Sequence, residues 1–200
     1  MRIELEILGK PVHASDGYLR HAIAAGREST EMVPYGAVLT PQALADVVAL
    51  IRSWQRPVGS GPVEAPVFDP AKLVLNPGGG EPDFGMPGVI GAARFIAVDR
   101  VKAELDRGAA MVILDARAGS DYVLEHIAGA TSVPFFDVAK YLDRLPRDRW
   151  IVTYCACPHA ASVSAADSLG RAGFTRVRVL DEGYNVWKER GYATREGPNP

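Results

Sequence analysis

Two cysteines stand two residues apart in the stretch Trp150-Ile-Val-Thr-Tyr-Cys-Ala-Cys-Pro-His-Ala-Ala-Ser162. The apolar run before them reads as a buried strand, and a helix is expected from Ser162 to residue 172. Cys155 therefore falls at the carboxyl end of a strand, where ligands collect in open α/β sheets. The backbone N–H groups of the loop (Ala156, Cys157, Pro158, His159, Ala160, Ala161; proline contributes none) and the start of the helix would face its sulfur. Both favour a thiolate and an anion beside it. A nucleophilic cysteine needs those conditions. The competing reading is a buried, inert cysteine at a strand end.

Cys157 and His159 are particular to this loop. Cys157 could attack a persulfide or sulfenate on Cys155, giving a disulfide and releasing sulfide or water. His159 could lower a thiol pKa or donate to a leaving group. The bland alternative has Cys157 packed sideways and His159 solvated. A metal site is poorly supported, because three soft ligands crowd into five residues with no second cluster. So close a pair is also a poor structural staple.

Around this loop the chain alternates in the α/β manner. Helices are expected at 98–107, 135–145, 162–172 and 183–190, with a helical turn at 121–125. Buried strands are expected at 110–114, 131–133, 150–154 and 177–180. Buried strands joined by helices imply a parallel sheet covered on both faces. Residues 57–93 hold seven of the 15 prolines and eight of the 20 glycines. That composition reads as a linker, extended and partly docked through residues such as Val67, Phe68, Leu73, Val74 and Leu75. Residues 1–56 are expected to form a small helical appendage. Its helices are placed at 14–26, with Ser15 or Asp16 as N-cap and Gly26 after its end, and at 40–54, with Thr40 as N-cap and Pro41 at the first position.

Composition closes off several classes. Of 200 residues, 48% are hydrophobic and 23% charged, and the net charge is −2. A chain of that kind buries a core. It lacks the basic excess of a nucleic-acid binder. No apolar run is long enough to span a bilayer. The first residues are acidic where a secretory leader would be basic, so the expected compartment is cytoplasmic, or periplasmic if a leader precedes this start.

Residues 94–195 resemble the rhodanese (sulfurtransferase) superfamily. Ile113-Leu-Asp-Ala-Arg117 is similar to its strand followed by Asp-x-Arg. Tyr122 with His126-Ile-Ala-Gly-Ala130 is similar to its His-Ile-x-Gly-Ala turn. Tyr154-Cys155 with Ala172-Gly-Phe174, then Leu180-Asp-Glu-Gly183, Trp187 and Gly191-Tyr192, follow in family order. The resemblance implies a rhodanese-like α/β fold and an enzyme, a sulfurtransferase. Cys155 would carry a sulfane sulfur as a persulfide between small sulfur donors, such as thiosulfate, and thiol acceptors. It also implies that Asp115 and Arg117 brace the site; the alternative is a structural ion pair, with Arg117 reaching Asp121. The loop departs from the family. It has neither a central glycine nor an arginine near its end, and it is one residue longer. Related phosphatases have the longer loop but need a closing arginine, and Ala160 and Ala161 stand there instead. The other function class is a non-catalytic rhodanese module, or a Cys155–Cys157 redox sensor with a redox partner protein.

Residues 13–55 resemble the C-terminal half of a class I c-type cytochrome. The carrying stretches are Asp16-Gly-Tyr-Leu-Arg-His-Ala-Ile-Ala-Ala-Gly26, Glu31-Met-Val-Pro-Tyr-Gly36 and Ala45-Asp-Val-Val-Ala-Leu-Ile-Arg-Ser-Trp54. By that likeness Met32 matches the distal haem-iron ligand, with Val33 where proline commonly follows. No cysteine precedes Cys155, so the Cys-x-x-Cys-His that holds haem c is missing. The expectation is a haem-less remnant and no cofactor. Haem c would enter only if the chain as given truncates a longer cytochrome with an electron-transfer ancestry.

Overall fold

A computed structural model describes residues 6–7, 10–11, 15–27, 32–54, 65–88, 91–156 and 159–200. The chain forms two compact units, Met1–Val63 and Glu64–Pro200. In the first, β1 (Glu6–Ile7) pairs antiparallel with β2 (Lys10–Pro11). Helix α1 (Asp16–Ala25) is capped by Ser15, whose hydroxyl accepts the Tyr18 N–H at 3.1 Å. Helix α2 (Pro41–Trp54) is capped by Thr40, which accepts from Ala43 N at 3.2 Å. Each cap satisfies an N–H that the first helical turn leaves without a partner. Ala22, Ile23 and Val48 are the buried apolar residues of this pair.

The second unit is a five-stranded parallel sheet. Its strands are β3 (Phe95–Ile96), β4 (Met111–Asp115), β6 (Thr131–Ser132), β7 (Trp150–Tyr154) and β8 (Val177–Leu180), in the order β3-β8-β7-β4-β6. A separate antiparallel pair joins β5 (His126–Ile127) to β9 (Thr194–Arg195). The helices are α3 (Val98–Asp106), α4 (Gly119–Leu124), α5 (Ala160–Arg171) and α6 (Gly183–Glu189). Strand β7 is central, paired with β4 from Met111↔Trp150 to Asp115↔Tyr154 and with β8 from Ile151↔Val177 to Thr153↔Val179. Its five residues are all buried, as a strand covered on both faces requires. Trp150, Val152 and Tyr154 point into one apolar cluster with Val98, Val101 and Trp187. Ile151 points into the opposite cluster with Leu114, Ala165 and Leu169. The α/β class expected from the alternation is the class found. Among the described residues no helix is long and apolar enough to cross a membrane.

One expectation is corrected. Residues 135–145 are not one helix. A single 3-10 turn, Val138–Lys140, is flanked by further turns, with Lys140 N bonded to Asp137 O and Arg144 N to Tyr141 O. The segment lies between Pro134 and Pro146, and its three-residue pitch sets Tyr141 5.1 Å from Phe68 and Arg144 3.9 Å over that ring. Strand β3 was not foreseen, since two residues carry no period. The second compact unit runs from Glu64 to Pro200 and takes in part of the Gly/Pro-rich stretch.

Residues 65–88 are part of that unit. Leu75 and Met111 exchange backbone hydrogen bonds of 2.8 and 3.3 Å, and Ala110 N donates to Gly80 O at 2.8 Å. Leu73 and Phe84 are buried. Phe84 stands edge-on to Trp150 at 5.7 Å, and the Trp150 indole N–H donates to Glu81 at 2.7 Å. The buried Arg178 donates to the carbonyls of Phe84 and Met86. A segment without hydrophobic period is thus held by side chains remote in sequence.

Candidate active site

Cys155 follows β7 directly and is 1% exposed. Its Sγ lies 3.3 Å from Ser162 Oγ, in the first turn of α5. The same hydroxyl lies 3.2 Å from the His159 carbonyl. Ser162 is held from the strand as well, since Thr153 of β7 donates its hydroxyl to Ser162 O at 2.9 Å. The twelve residues of α5 aim a positive dipole end at the sulfur's side of the sheet, equivalent to about half a charge.

The Cys155 carbonyl accepts the Tyr184 N–H at 2.9 Å. This junction explains Gly183. Its φ is +70°, and a Cβ there would sit 2.5 Å from the Cys155 oxygen. Both conditions demand glycine. From the same helix, Asn185 donates to Ala156 O at 3.2 Å. Cys157 and Pro158 lie outside the described residues. The next loop residue, His159, adopts a left-handed conformation at φ +63° and precedes α5 as its N-cap. Its Nε2 bonds the Asp181 carbonyl and lies 3.2 Å from the Asp181 carboxylate, while its ring packs 4.6 Å from Phe95. His159, half-buried, thus fastens the loop to the ends of β8 and β3. Ala160 is exposed and opens α5, and Ala161 packs on the core beneath it.

Asp115 and Arg117 meet each other. Arg117 Nη2 lies 2.6 Å and Nε 3.0 Å from the Asp115 carboxylate, and Nη2 also donates to Glu125 O at 2.7 Å. The ion-pair partner is Asp115, where the alternative reading had named Asp121; the two-residue spacing across the β4 end lets both groups turn to the same side. Burial alone would lower the arginine pKa; the charge and hydrogen bonds of Asp115 outweigh it, and the pKa is raised. Tyr154 donates to Asp115 at 2.6 Å, and burial first, then that carboxylate, push its pKa well above 10. Arg117 stacks over Tyr184 at 4.2 Å. The ion pair thus touches Tyr154, the residue before Cys155, and Tyr184, the donor to the Cys155 carbonyl.

Sequence reasoning did not single out Ser162 as more than a helix start. The readable signal was a hydroxyl in the first turn of a helix that begins just after a strand-end cysteine.

Met32 lies in the first unit, where its carbonyl accepts Arg27 N at 2.9 Å.

Residues 97–190 match the rhodanese-like domain family. The chain is 31% identical over 86 residues to thiosulfate sulfurtransferase GlpE of Coxiella burnetii, covering 42% of this chain and 78% of that protein. The chain belongs to the rhodanese-like family. Its rhodanese-like domain is also 31% identical over 87 residues to an HTH-type transcriptional regulator of Mycobacterium tuberculosis, but spans only 38% of that protein's length and 44% of this one. The rhodanese-like domain of an Anabaena sp. protein, determined in solution, superposes with a TM-score of 0.49 at 32% identity, covering 52% of this chain and 80% of that one.

Proposed function

We propose that the domain is a sulfurtransferase that carries a sulfane sulfur as a persulfide on Cys155. The observation that supports this reading best is the position of Cys155: at the carboxyl end of the central strand, with its sulfur against the first turn of α5. A helix N-terminus stabilises a thiolate, and a thiolate is the nucleophile. In the loading step the Cys155 thiolate attacks the outer sulfur of thiosulfate. The new S–S bond forms on Sγ, and sulfite leaves with the electron pair of the old one. In discharge, an acceptor thiolate attacks the outer sulfur of the protonated persulfide, and Sγ leaves as a thiolate. Asp115 and Arg117 act in this scheme as a brace, through Tyr154 and Tyr184.

The loop offers no arginine to a thiosulfate dianion, and the Arg117 guanidinium is engaged by Asp115. Binding of that donor rests on backbone N–H groups and the α5 dipole. A low-molecular persulfide, whose charges are spread over a larger molecule instead of crowded on one small dianion, is accordingly the better donor. Steady-state transfer to cyanide tests both statements. The expected result is a higher kcat/KM with glutathione persulfide than with thiosulfate, and none for Cys155→Ser with either. Transfer that survives Cys155→Ser would overturn the assignment.

A further inference from the structure

Ser162 is fully buried, and its hydroxyl has two polar neighbours of different kinds. Cys155 Sγ is at 3.3 Å and the His159 carbonyl at 3.2 Å. A hydroxyl has one hydrogen to give. When Cys155 is a thiol, its S–H donates to Ser162 Oγ and the serine donates to His159 O. When Cys155 is a thiolate, the serine hydrogen turns to the sulfur. His159 O then keeps the Val163 N–H at 2.7 Å, so the turn leaves no buried carbonyl without a donor. The Ser162 backbone is held at this position by its tie to β7 through Thr153.

We propose that Ser162 is a catalytic hydrogen-bond donor that stabilises Cys155 Sγ as the leaving group when the persulfide is discharged. The inference rests on the sulfurtransfer reading above and deepens it. The two half-reactions use the same sulfur in opposite senses. In loading, Sγ is the nucleophile, and a hydrogen bond that lowers its basicity also lowers its intrinsic reactivity. In discharge, Sγ departs as a thiolate, and the same bond helps it leave. In the persulfide the inner sulfur is neutral, and the serine hydrogen returns to His159 O. The donor is thus withheld in the ground state and offered as charge develops, which is what accelerates a step.

A purely structural serine would slow both halves together. The test follows each half by rapid mixing, in a Cys157→Ser background so that one thiol reports. Loading by glutathione persulfide is followed above the pH where the Cys155 thiol is fully ionised. The loaded protein is then discharged by a thiol acceptor. Ser162→Ala is expected to load at least as fast as the parent and to discharge about three- to tenfold more slowly, with Ser162→Thr restoring discharge. The pH midpoint of Cys155 alkylation should rise by about one unit in Ser162→Ala and return in the threonine variant. Equal slowing of both halves, or an unmoved alkylation midpoint, would overturn the role of Ser162. A parent that never loads from either donor would instead overturn the sulfurtransfer reading, and the leaving-group role with it. The alkylation midpoint is read separately from that failure.

Discussion

His126 lies wholly inside the second unit, stacked on Tyr122 at 3.7 Å, with Nδ1 2.8 Å from the Tyr122 carbonyl. Burial lowers its pKa below 6.5, against smaller upward contributions led by that carbonyl and Asp115. The folded chain therefore keeps it neutral at a pH where the unfolded chain binds a proton. Its contribution to stability is complete above about pH 6.5 and is lost as pH falls from there through the folded value. The urea midpoint is expected to drop between neutral and mildly acid pH, and less steeply in His126→Phe, which keeps a stacking ring without the titration. Parallel pH curves for the two proteins would contradict this. At this scale the site was partly legible. Cys155 stood out by type and place. The Asp115–Arg117 contact did not, because a two-residue spacing keeps side chains on one side only while the chain stays extended, and Arg117 lies beyond the end of β4. For His159 the sequence left a chemical and a solvated reading open, because its ring contacts, Asp181 and Phe95, are 22 and 64 residues away in sequence.

Strands β7 and β8 were legible to the residue, β7 as a mostly apolar run and β8 as β-branched and apolar residues on either side of Arg178, each bounded by polar or turn residues. The turns at 135–145 were not, because apolar residues spaced for a helix also serve a chain that turns every three residues over an aromatic ring. The junction between β7 and α6 carries the element-scale prediction. Gly183 holds a positive φ, and any Cβ there meets the Cys155 carbonyl. Gly183→Ala must shift α6 or the cysteine's own backbone. The expected result is a loss of about 1–3 kcal/mol in chemical denaturation together with slower persulfide loading. Unchanged stability and unchanged loading would mean that the junction yields without moving Cys155.

The second unit as a whole is larger than its family match, which begins at residue 97. A proline- and glycine-rich sequence hid this, because its packing residues answer to no period and are fixed only by their remote partners. Leu73 joins one face of the sheet, Phe84 the other, and Arg178 needs the carbonyls of Phe84 and Met86. A fragment of residues 64–200 is expected to unfold cooperatively. One of residues 94–200 loses two buried apolar side chains, about 3–6 kcal/mol, and the Phe84 and Met86 carbonyls to which Arg178 donates. Equal urea midpoints for the two fragments would contradict that account. For the molecule's activity the most direct measurement is the mass of the intact chain after exposure to glutathione persulfide or thiosulfate, with the modified residue located by fragmentation. The account predicts a gain of one sulfur mass on Cys155, abolished by Cys155→Ser and retained by Cys157→Ser. Sulfur gained equally by both variants, or none gained by the parent, would contradict it.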